Sequence, residues 1–195
     1  VRVKSAKWKV QSVLAAVVCW LAVGQVAHAL PQPLEVSSVH ECVARYADVD
    51  ASLKRMEAQT VDGLRAKVWA IIWVESQCRA ELTGQSGEVG LGQVMPSDQT
   101  GYPSFWFADR PKAAELADPL VNARTVGYVL LRNLNRFCEG DLTCAVRVYN
   151  GGTSGCVRAG GRNKGWFPAF GVGQDVCARA WRYGARVSEV AGMVK

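Results

Sequence analysis

Leu64, Val68, Ile71 and Ile72 recur at the i, i+4, i+7, i+8 spacing of one buried helical face, and Glu75 occupies the next position of that face. The pattern predicts a helix that starts near Asp62, a good N-cap, and runs to about Gln77. Similar periods predict a first helix over Val39 to Ala47 and a weaker one around Ser52 to Ala58. The clearest is "DPLVNARTVGYVLLRNLNRFC": Asp118 caps it, Pro119 suits its first turn, and Leu120, Ala123, Gly127, Leu130, Leu131, Leu134 and Phe137 form its stripe. A short helix from Leu142 to Tyr149 ends at "NGG", and a last one near Asp175 to Val190 buries Val176, Ala180, Tyr183 and Val187. Strand alternation is scarce. After the helix that carries Glu75, "TGQSGEVGLGQVMP" holds too many glycines for a helix and reads as a shaped loop.

The amino-terminal stretch differs from the rest. Arg2, Lys4, Lys7 and Lys9 precede an apolar run from Val13 to Val23 and then "AHA" ending at Ala29, the three-part pattern of a secretory signal peptide. The run falls short of the roughly 20 residues that span a bilayer, so no stable membrane span is expected after cleavage. The expected organisation is therefore a signal peptide over 1–29, a helical lead-in over 30–60 and one main domain over 61–195. Setting the leader aside leaves 19 basic against 17 acidic residues, a balance of +2, which removes the main support for a nucleic-acid partner.

Six cysteines remain beyond the leader: Cys42, Cys78, Cys138, Cys144, Cys156 and Cys177. An even number in an exported chain suggests disulfides, with 15 possible connectivities. Cys138 and Cys144, flanking "EGDLT", are the first pair expected. With no C-x-x-C and one histidine, His40, beyond the leader, neither a metal nor another cofactor is expected. His40 also has no nucleophile motif near it, and Gly87, Gly90 and Gly92 are not followed by the Gly-Lys-Ser/Thr of a phosphate loop.

Glu75 is thus the residue with chemistry to explain. Near a helix end it could simply reach solvent or pair with an arginine. Alternatively, partial desolvation raises its pKa, so that it stays protonated near neutral pH and donates a proton.

A resemblance favours the second reading. "ES" at Glu75 and Ser76, "GEVGLGQVMP" from Gly87 to Pro96, "DPLVN" from Asp118 to Asn122 and "VYNGG" from Val148 to Gly152 stand in the order seen in the lysozyme-like lytic transglycosylases, relatives of goose-type lysozyme. The motifs span 61–152; beyond Gly152 the likeness fades to a final helix. The resemblance implies a mainly α, lysozyme-like domain with a substrate groove, stabilised by disulfides. It implies Glu75 as the single acid and base, cleaving between N-acetylmuramic acid and N-acetylglucosamine of peptidoglycan and leaving a 1,6-anhydro end. Such chemistry needs one carboxyl where a hydrolase ordinarily needs two. By the same carry-over Ser76 holds the helix end or bonds near the carboxyl, Gln93 and Met95 line the groove, and Tyr149 and Asn150 fix Glu75 and the muramic acid.

Two positions depart from the family's Ala-x-Gly-Leu-Met-Gln: Glu88 replaces the alanine and Gly92 the methionine. Gly92 would leave the pocket wider or more mobile; Glu88 reads first as a solvated loop glutamate, and alternatively as a second carboxylate that would turn the enzyme into a hydrolytic lysozyme. Loss of turnover, leaving a wall-binding or assembly protein, is the further alternative. "GYPSFWFADRP", residues 101–111, offers Tyr102, Phe105, Trp106 and Phe107 for sugar rings or for packing. The loop at 151–165 is basic and glycine-rich. A monomer in the periplasm or outside the cell is expected, with peptidoglycan glycan strands as partner. Conjugation, secretion and pilus assembly machines, or general wall turnover, are the settings the resemblance suggests.

Overall fold

The computed structural model of the chain describes residues 37–99, 109–151 and 174–194. The leader, the aromatic cluster at 102–107, the loop at 152–165 and Cys156 lie outside the described residues, as do the side chains of Val176 and Cys177. The helices are α1 (Val39–Arg45), α2 (Ala47–Ala58), α3 (Leu64–Ser76), α4 (Ala113–Leu116), α5 (Pro119–Phe137), α6 (Leu142–Gly151) and α7 (Gln174–Ala191). The protein is mainly α, and among the described residues β pairing is confined to isolated bridges of Val89 with Thr83 and Val94.

Helix α3 is the hub: α1, α2, α5 and α7 all pack against it. Its burial consequently exceeds the stripe read from its sequence. Leu64, Val68, Ile71 and Ile72 are inaccessible to solvent, but so are Trp69 and Ala70 on other faces. Each large aliphatic chain buried in this way contributes about 1.5–3 kcal/mol.

The start of α3 differs from expectation. Asp62 does not cap it; Gly63 does, at φ 82°, a left-handed conformation that glycine adopts without a Cβ penalty. A first-turn amide is served from outside the helix, Arg65 N–H donating to Glu57 Oε1 of α2 at 3.2 Å. The second helix begins at Ala47 rather than Ser52, because Val49, Leu53 and Met56 form one buried face. Asp50, buried beside them, masks that period in the sequence. Asp118 caps α5 as expected, accepting from Leu120 N–H at 2.8 Å and Val121 N–H at 3.0 Å.

Two disulfides tie these elements. Cys138–Cys144 closes the turn between α5 and α6, with Cα atoms 5.6 Å apart. Cys42–Cys78, Cα atoms 5.8 Å apart, fastens α1 to the exit of α3, where Gln77 (φ 51°) and Cys78 (φ 66°) end the helix. Closing that 36-residue separation stabilises the fold by about 4 kcal/mol through the unfolded chain's lost freedom.

Helix α7 is held from two sides. Lys67 Nζ of α3 donates to Ser188 Oγ at 3.0 Å, and the Arg147 guanidinium of α6 stacks 3.4 Å from the centre of the Trp181 ring. Gly184 lets Arg147 come this close, since a Cβ there would meet the arginine stem. This packing aims Tyr183 at α3.

Candidate active site

Glu75 lies in the last turn of α3, half-buried, and Tyr183 of α7 donates its hydroxyl to Glu75 Oε1 at 2.7 Å. Burial pushes the Glu75 carboxyl above the ordinary glutamate range. The Tyr183 hydrogen bond opposes this, and the charge of nearby Glu88 adds to it. Burial, with the Glu75 charge beside it, likewise holds the Tyr183 phenol well above its ordinary value, so it remains a hydrogen-bond donor.

The glycine-rich loop is built by close approach. Val89 and Val94 exchange both backbone hydrogen bonds at 3.0 Å, and Gly90 N–H reaches Leu82 O at 2.8 Å. Asn122, fully buried on α5, clamps this turn. Its Oδ1 accepts from Gly92 N–H at 2.8 Å, and its Nδ2 donates to Val89 O and Leu116 O at 2.8 and 2.9 Å. Gly90, at φ 75°, leaves room for that amide.

Gly92 faces inward, and a Cβ on it would run into Val126 of α5. It is therefore a packing glycine against α5 rather than a widening of the groove. Glu88 is half-buried, its Oε2 accepting from Ser86 N–H at 3.0 Å.

The remaining candidates divide by where their polar atoms point. Ser76 is buried and its Oγ donates to Ile72 O at 3.1 Å, a bond within the helix end. Gln93 does not offer its amide nitrogen to a groove: Nε2 donates to Leu82 O at 3.0 Å and Gly90 O at 2.9 Å, adding a second donor to carbonyls that also accept backbone N–H groups. Met95 is half-buried and its carbonyl accepts from Arg110 Nη1 at 3.3 Å. Asn150 is exposed near the end of α6.

Tyr149 was expected to fix Glu75, but its hydroxyl donates to Gly92 O at 2.7 Å; Tyr183 holds the carboxyl instead. Tyr149 is still close enough for the Glu75 charge to push its phenol up, and burial does so more strongly. The period of α7 marks Tyr183 as buried, but nothing in the sequence shows that its hydroxyl meets Glu75. Asn122 carried a weak signal, as a polar residue among the apolar positions of α5.

Glu75 at the end of the hub helix, the looped glycine turn and the α5 clamp are thus brought together from segments spread over the chain. The transglycosylase SLT domain model matches residues 52–168, more than half of the chain. The chain belongs to this family. The match extends beyond the 61–152 stretch that holds the motifs. No curated protein matches the chain. Members of the SLT family act on peptidoglycan, and the protein is accordingly of lytic-transglycosylase type, with peptidoglycan as its substrate. Among the described residues no helix is long and apolar enough to cross a membrane.

Proposed function

We propose that this SLT protein cleaves the β-1,4 bond between N-acetylmuramic acid and N-acetylglucosamine, with Glu75 as the sole acid and base. The carrying observation is one carboxyl whose burial favours its protonated form, oriented by a single phenol. Protonated Glu75 gives its proton to the bridging oxygen, the bond from that oxygen to the muramic acid C1 breaks, and an oxocarbenium-like centre forms. The Glu75 carboxylate then takes the proton of the C6 hydroxyl as that oxygen bonds to C1. A 1,6-anhydro sugar leaves, and no water is consumed. A raised pKa suits a group that must be acid first and base second.

Glu88 is the observation behind a second reading. It lies near enough to act electrostatically on Glu75, so it could activate water and make the reaction a hydrolysis. Its bond to Ser86 N–H ties the carboxylate to its own loop, which favours the first reading.

The test is digestion of purified sacculi by the wild type and by Glu75→Gln, with mass spectrometry of the soluble fragments. The expected result is anhydro-muramic ends from the wild type and a rate lower by about 10²–10⁴-fold in the variant. Fragments heavier by one water would instead establish hydrolysis. Sacculi bound but left intact by the wild type would favour a binding role.

A further inference from the structure

A second polar feature lies along α5. A cavity of about 570 Å³ runs along α5, and its lining includes Asp109, Arg110, Arg124, Thr125, Tyr128 and Arg132. Three guanidinium groups against one carboxylate make it strongly cationic. Arg132 Nη1 is paired with Asp109 Oδ2 at 2.7 Å, yet its Nε is buried with no partner among the described residues. Arg124 bonds only the Tyr128 hydroxyl, at 3.4 Å, and meets no carboxylate among them. Tyr128 is 56 % exposed, a ring open to contact at the cavity's edge.

Arg110 ties the cavity to the glycine-rich loop that packs against Tyr149. Arg110 bonds Met95 O, and its charge acts on Tyr149; Tyr149 in turn bonds Gly92 O and senses the Glu75 charge. A glycan strand bound at Glu75 carries a peptide stem on its muramic acids. The sugars of the strand are neutral where the peptide is attached. The anionic groups are the carboxylates of the peptide stems, which planar guanidinium forks bind well.

We propose that the Arg110–Arg124–Arg132 cavity is a subsite for the carboxylates of the peptide stems. It deepens the functional reading above and rests on it. The three arginines recognise the stem as it emerges from the muramic acid, and their excess charge orients the strand relative to Glu75.

The test uses full-length Glu75→Gln protein, to prevent turnover, and three probes: strands with free-acid stems, the same strands with stem carboxylates amidated, and strands stripped of stems whose freed lactyl carboxyls are amidated. Free-acid strands are expected to bind about tenfold tighter than the other two, a difference of about 1.4 kcal/mol. Adding Arg124→Ala or Arg132→Ala should bring that ratio close to one, and Arg124→Lys should retain part of it, keeping the charge without the fork. Melting temperatures identify any variant that fails to fold; Arg124→Ala, altering an exposed side chain, then carries the test. Equal affinity for all three probes, or an unchanged ratio in the folded arginine variants, overturns the proposal. Wild-type release of anhydro ends from stripped and stem-bearing strands alike, at equal rates, would remove the subsite while leaving the transglycosylase reading intact; no release from either would remove that reading.

Discussion

Two carboxylates at the hub helix, Asp50 packed against it and Glu75 in its last turn, have pKa values pushed in opposite directions. Asp50 of α2 accepts from Arg65 Nε at 2.6 Å and Trp69 Nε1 at 2.8 Å, and pairs with Lys54 Nζ at 3.0 Å. Burial works to raise it, but these partners together outweigh burial and hold it below the ordinary aspartate range. Among the described residues Glu75 has one phenol and a like charge nearby, so burial prevails and its pKa rises. The number and sign of the donors decide the outcome: a saturated carboxylate stays ionised and structural, whereas an under-saturated one keeps a proton that can be transferred.

The strongest way to break the contrast is to change each carboxylate in turn. Glu75→Gln should lower activity by the 10²–10⁴-fold given above, while keeping an oxygen for Tyr183. Its stability should move the other way. An acid with a raised folded pKa costs stability as pH climbs from the ordinary range near 4 through the folded value, because the unfolded chain releases its proton first. Urea unfolding should therefore show Glu75→Gln equal to wild type at acid pH and more stable at neutral pH. Asp50→Ala should do the reverse, costing about 3–5 kcal/mol at neutral pH by stranding Arg65. With its folded pKa depressed, the Asp50 contribution is present above the ordinary aspartate value and lost as pH falls through the folded one. A neutral-pH loss below about 1 kcal/mol would show that the Asp50 cluster is not the anchor described here.

A milder change sharpens the comparison at Glu75 itself. Tyr183→Phe removes the bond that favours the carboxylate, so the Glu75 pKa should rise further. The high-pH fall of kcat/KM, which reports loss of the acid, should move to higher pH, with a rate loss of about three- to tenfold from lost orientation. An unmoved pH profile with reduced activity would assign Tyr183 to packing alone.

These contrasts show how far the sequence is readable. The period through Leu64, Val68, Ile71 and Ile72 placed Glu75 at the end of the central helix, and Asp118 with Pro119 fixed the start of α5, because both are local signals. The Cys138–Cys144 pair was legible for the same reason, lying across one short turn. Tyr183 was not assigned a role because it meets Glu75 across 108 residues of chain, through packing of α7 that no local pattern encodes. Gln93 and Tyr149 were aimed at the substrate by analogy, whereas the folded turn draws their polar groups to Leu82 O, Gly90 O and Gly92 O. Asp50 failed for the opposite reason: a carboxylate in an apolar face looks like a break in the helix until its three partners arrive from α2 and α3.

The smallest expected effect belongs to Glu88. Its charge raises the Glu75 pKa, so Glu88→Gln should lower that pKa and move the high-pH fall of kcat/KM to lower pH, opposite to Tyr183→Phe. Because the carboxylate acts at a distance and bonds its own loop at Ser86, the rate at the optimum should change by less than about threefold. Product identity separates this role from the hydrolytic one. If Glu88 only tunes Glu75, anhydro ends persist in the variant and the two single variants shift the pH profile in opposite senses. A wild type that yields reducing ends, and a Glu88→Gln variant that loses them by 10²-fold or more, would make Glu88 the water-activating base and the pair a two-carboxylate site.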